Sequence, residues 1–102
     1  MDRTALLSDI LSQDPNNFLA RYSLAMEYSN AGQLESALDE FHKLLTANPD
    51  YTAGYFMAAQ TLVKAERVEE ARKMLHDGIA TAERKGDAHA QSEMQSMLEE
   101  IG

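Results

Sequence analysis

Cysteine is absent from the 102-residue sequence, which excludes disulfides, thiolate metal ligands and a thiol nucleophile and suits a reducing compartment such as the cytoplasm. Basic residues are scarce: 9 Lys and Arg stand against 17 Asp and Glu, a formal net charge of −8. The only adjacent basic pairs are Arg72/Lys73 and Arg84/Lys85. Nucleic-acid affinity rests on Lys and Arg neutralising phosphates, so no nucleic-acid partner is expected. Long apolar runs are missing too. None approaches the roughly 18 residues that span a bilayer, and the first residues carry Asp2 and Asp9, so neither a membrane span nor a secretory leader is expected. Phosphate-cradling glycine motifs, a His-Glu-x-x-His run and a nucleophile elbow do not occur. Neither enzymatic activity nor a cofactor is expected.

What the sequence does contain is a step of 34 residues. Sliding the chain by that step sets Ala25 on Ala59, Ala31 on Ala65, Ala37 on Ala71 and His42 on His76. It also sets Tyr22 on Phe56, Tyr28 on Leu62 and Phe41 on Leu75, so small side chains meet small ones and large apolar ones meet large. The columns reach back to Leu7, Leu11 and Pro15, the last standing over Pro49. Such a period marks a stack of like units. The chain reads as one domain over 1–102: an N-terminal half repeat (1–17), repeat one (18–51), repeat two (52–85) and a C-terminal helix (86–102).

Apolar residues recur at helical spacing, as in Ala37, Leu38, Phe41, Leu44 and Leu45, and no stretch alternates as a half-buried strand does. An all-α chain of six helices is expected, at 3–13, 16–30, 34–47, 51–64, 68–84 and 87–100. Asp14 before Pro15, Asp50 and Asp87 are the expected N-caps. Asn30-Ala31-Gly32 and Gly86 supply residues able to take positive φ at helix ends. Gly78 falls in mid-helix, at a penalty of about 1 kcal/mol relative to Ala, and close packing of the last helix is the expected reason.

Within Phe18 to Tyr51, the residues Leu24, Ala25, Tyr28, Gly32, Ala37, Phe41 and Pro49 fall where tetratricopeptide repeats show their large, small, aromatic, glycine, alanine, aromatic and proline positions. The chain resembles that family. The second window keeps Tyr55, Ala58, Ala59, Leu62, Ala71 and Leu75, but Glu66 replaces the glycine and Glu83 the proline, which lets the fifth helix run on to Arg84 or Lys85. The resemblance implies a right-handed superhelix of antiparallel helix pairs with one concave face, and a module that binds a peptide or helix of a partner protein there. Self-association through exposed terminal helices, as a scaffold, is the alternative.

Carried over from the resemblance, the groove positions on the first helix of repeat one are Leu19, Tyr22, Met26, Ser29 and Asn30. Those on repeat two are Ala53, Phe56, Met57, Gln60, Val63 and Lys64. Tyr22, Met26, Phe56 and Met57 would make an apolar strip, unless the last helix folds over it with Met94, Met97 and Leu98. Some members of the family grip a terminal carboxylate with Lys, Asn and Arg. The matching positions here are Tyr22, Met26, Met57, Asp87 and Gln91, so an acidic tail is not the expected ligand.

His42 and His76 share a column but lie one repeat apart, too far to share a zinc ion, and are expected on the surface with His89, so no metal site is expected. The carboxylate pairs Asp39/Glu40, Glu69/Glu70 and Glu99/Glu100 point about 100° apart on a helix and are expected to be solvated, with Glu69 and Lys73 placed for an i,i+4 pair.

Overall fold

The computed structural model describes residues 2–102. Six α-helices follow one another: α1 (Arg3–Gln13), α2 (Phe18–Asn30), α3 (Leu34–Ala47), α4 (Thr52–Lys64), α5 (Val68–Lys85) and α6 (Ala88–Ile101). No strand occurs among the described residues. Each helix packs on the next, and the molecule is an elongated slab of 40 × 29 × 18 Å.

Helix starts are capped where the sequence offers a short oxygen-bearing side chain. Asp2 accepts from the Ala5 amide at 2.8 Å, Asn17 from Ala20 at 3.0 Å and Asp87 from Ala90 at 3.1 Å. Two expected caps are corrected. Asp14 and Pro15 open a turn closed by a bond from the Asn17 amide to the Asp14 carbonyl, so α2 begins at Phe18 under Asn17. Asp50 lies in the matching turn from Asn48 to Tyr51, where it accepts from Arg84 at 3.0 Å, and α4 starts without a side-chain cap. In both turns proline takes the second position, which its fixed φ favours.

At the other ends, Gly32, Glu66 and Gly86 adopt φ of 78°, 61° and 70°. Behind each, the next amide bonds back into the last turn of the helix: Gln33 to Tyr28, Arg67 to Leu62 and Asp87 to Ala82, all at 2.9 Å. This closure satisfies carbonyls that a helix end leaves open. With no proline at position 83, α5 extends to Lys85, and its last-turn Arg84 and Lys85 suit the negative end of the helix dipole.

The repeating alanines set the helix spacing. Ala25, Ala37, Ala59 and Ala71 are wholly buried, so nothing larger than a methyl group holds neighbouring helices apart at these points. Three apolar clusters string along the slab: Leu7, Leu11, Ala20 and Leu24; then Ala25, Ala37, Phe41, Leu44 and Ala58; then Ala59, Leu75, Ala82 and Met94. One expected solvated carboxylate is buried instead. Glu40 is bonded to Arg21 at 2.6 Å across α2 and α3. The expected Glu69–Lys73 pair is replaced by Arg72–Glu69 and Lys73–Asp77, at 2.7 and 3.3 Å.

The helices form two layers. In one, α2 touches α4 and α4 touches α6; in the other, the backbones of α1, α3 and α5 make no close contact with one another. The tighter α2–α4–α6 layer is therefore the inner face of the curve.

Candidate functional site

The inner layer carries two adjoining clefts along α4. One, about 260 Å³, lies among Tyr22 of α2, Thr52, Ala53, Phe56 and Met57 of α4, and Asp87, His89, Ala90 and Glu93 at the start of α6. The other, about 360 Å³, runs between Phe56 and Gln60 on one bank and His89, Ser92, Glu93, Ser96, Met97 and Glu100 on the other. Phe56, His89 and Glu93 border both, so the clefts read as one groove between α4 and α6.

Last-helix packing keeps the groove open. Met94 turns inward, is wholly buried against the α4–α5 floor, and takes the space over Gly78: a Cβ there would sit 2.5 Å from Met94 Sδ and 2.7 Å from Tyr55 Cβ. This is the close approach expected of Gly78. Held by that contact, α6 lies beside α4 as a third inner helix.

The eleven expected groove residues divide. Tyr22, Ala53, Phe56, Met57 and Gln60 line the clefts. Leu19, Met26, Asn30, Val63 and Lys64 line neither, although Leu19 is 58% exposed on α2. Ser29 is buried at 6% exposure and shares a 3.0 Å hydrogen bond with Thr61, so it joins α2 to α4 rather than facing a ligand. The apolar strip is half-buried. Tyr22 packs edge-on to Phe41 and Tyr51 with ring centroids 6.4 and 5.4 Å apart, and Met26 and Met57 lean on the central cluster. Burial, and secondarily the neighbouring Tyr51, raises the Tyr22 hydroxyl above its ordinary pKa, and burial does the same to Tyr51.

Of the two C-terminal positions matched to the groove by sequence, Asp87 lines a cleft and Gln91 lines neither, while most of the α6 bank has no counterpart in the sequence-based expectation. The signal was present in the half repeat at the chain's end. A two-residue offset obscured it: α2 and α4 begin 34 residues apart, at Phe18 and Thr52, whereas α6 begins at Ala88, two residues beyond the next such step.

A larger cavity, about 560 Å³, opens on the outer face between α3 and α5 over Phe41, Ala58 and Leu62. Its charged rim is largely self-satisfied: Arg67 bridges Glu35 and Glu70 at 2.9 and 2.5 Å, and Lys73 reaches Asp77. The Arg67 hydrogen bonds are the main reason Glu70 is held below its usual carboxylate pKa. Rim charges already paired leave a partner little to gain, so size alone does not make this cavity the better candidate.

His42, His76 and His89 are all exposed, on three different helices. Among the described residues no three His, Asp or Glu side chains converge as a metal site would require, and no helix is long and apolar enough to cross a membrane.

Known proteins repeat this architecture. A tetratricopeptide repeat family model matches residues 28–96, and a second model of that repeat matches residues 6–39. A TPR repeat-containing protein of Pseudomonas aeruginosa is 30% identical over 95 residues, covering 93% of this chain and 90% of that protein. The solution structure of a Bordetella parapertussis protein superposes with a TM-score of 0.87 at 27% identity, covering 99% of this chain and 88% of the other. A tetratricopeptide repeat domain protein from Salinibacter ruber gives 0.81 at 27% identity, over 86% and 89%.

Proposed function

Because this chain belongs to the tetratricopeptide repeat family, whose members are protein–protein interaction modules, we propose that it binds a peptide or helical segment of a partner protein in the groove between α4 and α6. The observation that carries the reading is the continuous cleft bordered by Phe56 and Gln60 on one side and Met97 and Ser92 on the other. Half-buried apolar side chains at its floor provide anchoring contacts, and the polar rim fixes direction. An adaptor or scaffold needs no more chemistry than this.

The test must block the groove without opening the core. Tyr22 is unsuitable, since its ring belongs to the central cluster. Ala53 and Ser92 are exposed cleft residues on α4 and α6. Ala53→Gln with Ser92→Gln fills both clefts with neutral, helix-compatible side chains. Peptides selected from a random dodecapeptide display library on the unaltered protein should lose about tenfold or more in affinity for this variant, with helicity by circular dichroism unchanged. Equal binding to both proteins would remove the groove as the site.

A second reading, self-association, is favoured by one observation: Leu6 and Ile10 on α1 are 52% and 36% exposed. Sedimentation as a function of concentration tests it.

A further inference from the structure

Every charged side chain lining the groove comes from α6 or its N-cap Asp87, and none is a lysine or arginine. The α2 and α4 banks contribute Tyr22, Thr52, Ala53, Phe56, Met57 and Gln60, all uncharged. Opposite them stand Asp87, Glu93 and Glu100, with His89. Lys64, at the end of α4, lines neither cleft.

These three carboxylates are not equally available. Asp87 already serves the fold, accepting from the Ala90 amide at 3.1 Å and from Thr52 Oγ1 at 3.5 Å. Glu93 is bonded only to the exposed His89, at 3.0 Å, and keeps 49% of its side chain in solvent. Glu100 is exposed, and no ion pair to it forms among the described residues. Seven residues apart, Glu93 and Glu100 lie on the same face of α6, about 10 Å apart along its axis. Between them the wall is Ser96 and Met97, facing Phe56 and Gln60. The pattern is acid, apolar floor, acid.

We propose that the segment bound in this groove is cationic as well as apolar: an extended stretch with an apolar anchor seated between Phe56 and Met97, and Lys or Arg at positions three residues apart meeting Glu93 and Glu100. In the polyproline II form of an extended chain, three residues make one turn and rise about 9 Å, which returns both cations to one face and matches the reach of the two carboxylates. The net charge of −8 acts in the same direction at longer range, raising the local concentration of a basic partner. This inference rests on the groove reading above and adds the partner's charge and spacing to it.

The test uses peptides from the same dodecapeptide selection on the full chain. Those enriched should carry Lys or Arg on both sides of an aromatic or aliphatic residue. Their affinity should fall about tenfold for Glu93→Lys with Glu100→Lys, and comparably when sodium chloride is raised from about 50 mM to about 500 mM. Both positions are exposed, so the variant should keep its helicity. Enriched peptides that are neutral or acidic, bind the charge-reversed protein equally well, and are still lost on Ala53→Gln with Ser92→Gln would overturn the charge assignment and leave the groove standing. Peptides indifferent to the filled clefts, or a selection that enriches nothing, would overturn both.

Discussion

Gly78 holds its place through what surrounds it rather than through its backbone. In mid-helix, glycine is about 1 kcal/mol worse than alanine, and nothing about its φ requires it, since the positive-φ glycines are Gly32, Gly86 and Gly102. An added methyl would meet Met94 Sδ at 2.5 Å and Tyr55 Cβ at 2.7 Å. The first neighbour can swing away; the second is fixed to its own backbone. Overpacking of a tight core costs about 1–3 kcal/mol, which exceeds the helix-propensity gain. Gly78→Ala is therefore expected to lower stability by up to about 2 kcal/mol in urea denaturation, by pushing α5 away from α4 at Tyr55. Gly54 is the control. Its methyl would meet Leu45 Cδ2 at 2.8 Å and Leu44 Cδ2 at 3.2 Å, both ends of flexible side chains, so Gly54→Ala should be nearly neutral. Equal losses at the two sites would refute the steric account. The sequence showed the glycine and suggested the last helix as its reason, but not Tyr55. Ser29 shows the reverse case: its position read as groove-facing, and only the 3.0 Å bond to Thr61 reveals that a hydroxyl can be absorbed into helix packing.

Helix ends were the less legible elements, because several adjacent residues can serve as a cap and tertiary contacts choose among them. Asp14 and Asn17 are both good caps by type. Pro15 decides between them by taking the second position of a turn, which delays α2 to Phe18. Helix number and facing were legible, since the alanine columns and the 34-residue step need only side-chain size, and Ala25, Ala37, Ala59 and Ala71 are all wholly buried. The substitution of Glu66 for the column's glycine was visible as well. Glu66 sits at φ 61°, in the same closure that Gly32 makes at φ 78° one repeat earlier. A left-handed conformation costs a non-glycine residue about 1–2 kcal/mol, less what glycine loses through its freer unfolded chain. Its side chain is exposed, so little contact is sacrificed. Glu66→Gly is expected to stabilise the protein by about 0.5–1 kcal/mol, read as a higher urea midpoint with unchanged slope. A lower midpoint would mean that the carboxylate has a role the backbone argument overlooks.

On the scale of the whole molecule, the two ends of the slab are chemically unlike. On α1, Leu6 and Ile10 are exposed although the positions one repeat later, Glu40 and Leu44, are buried, because no earlier inner helix covers them among the described residues. At the other end α6 turns Met94 inward and shows Ser92, Gln95 and Glu99 to solvent. Head-to-tail stacking would press an apolar α1 on a polar α6, and would place Arg3, rather than an alanine like Ala37 or Ala71, in the column where helices close on each other. Fibre-like growth is disfavoured by that mismatch. A two-fold pairing of α1 with α1 of a second copy buries like against like. Two apolar side chains per copy fall far short of the roughly 1,200 Å² that specific, stable interfaces bury, so the pairing must be weak. Sedimentation velocity should accordingly find a monomer at about 10 µM and a rising weight-average mass approaching about 500 µM. The rise should stop at dimer and vanish in Leu6→Gln with Ile10→Gln, while Glu99→Ala leaves it intact. A mass that stays monomeric throughout would remove self-association as a function of this chain and leave the groove as its one proposed surface, whereas growth beyond dimer would show that α6 is a working interface after all.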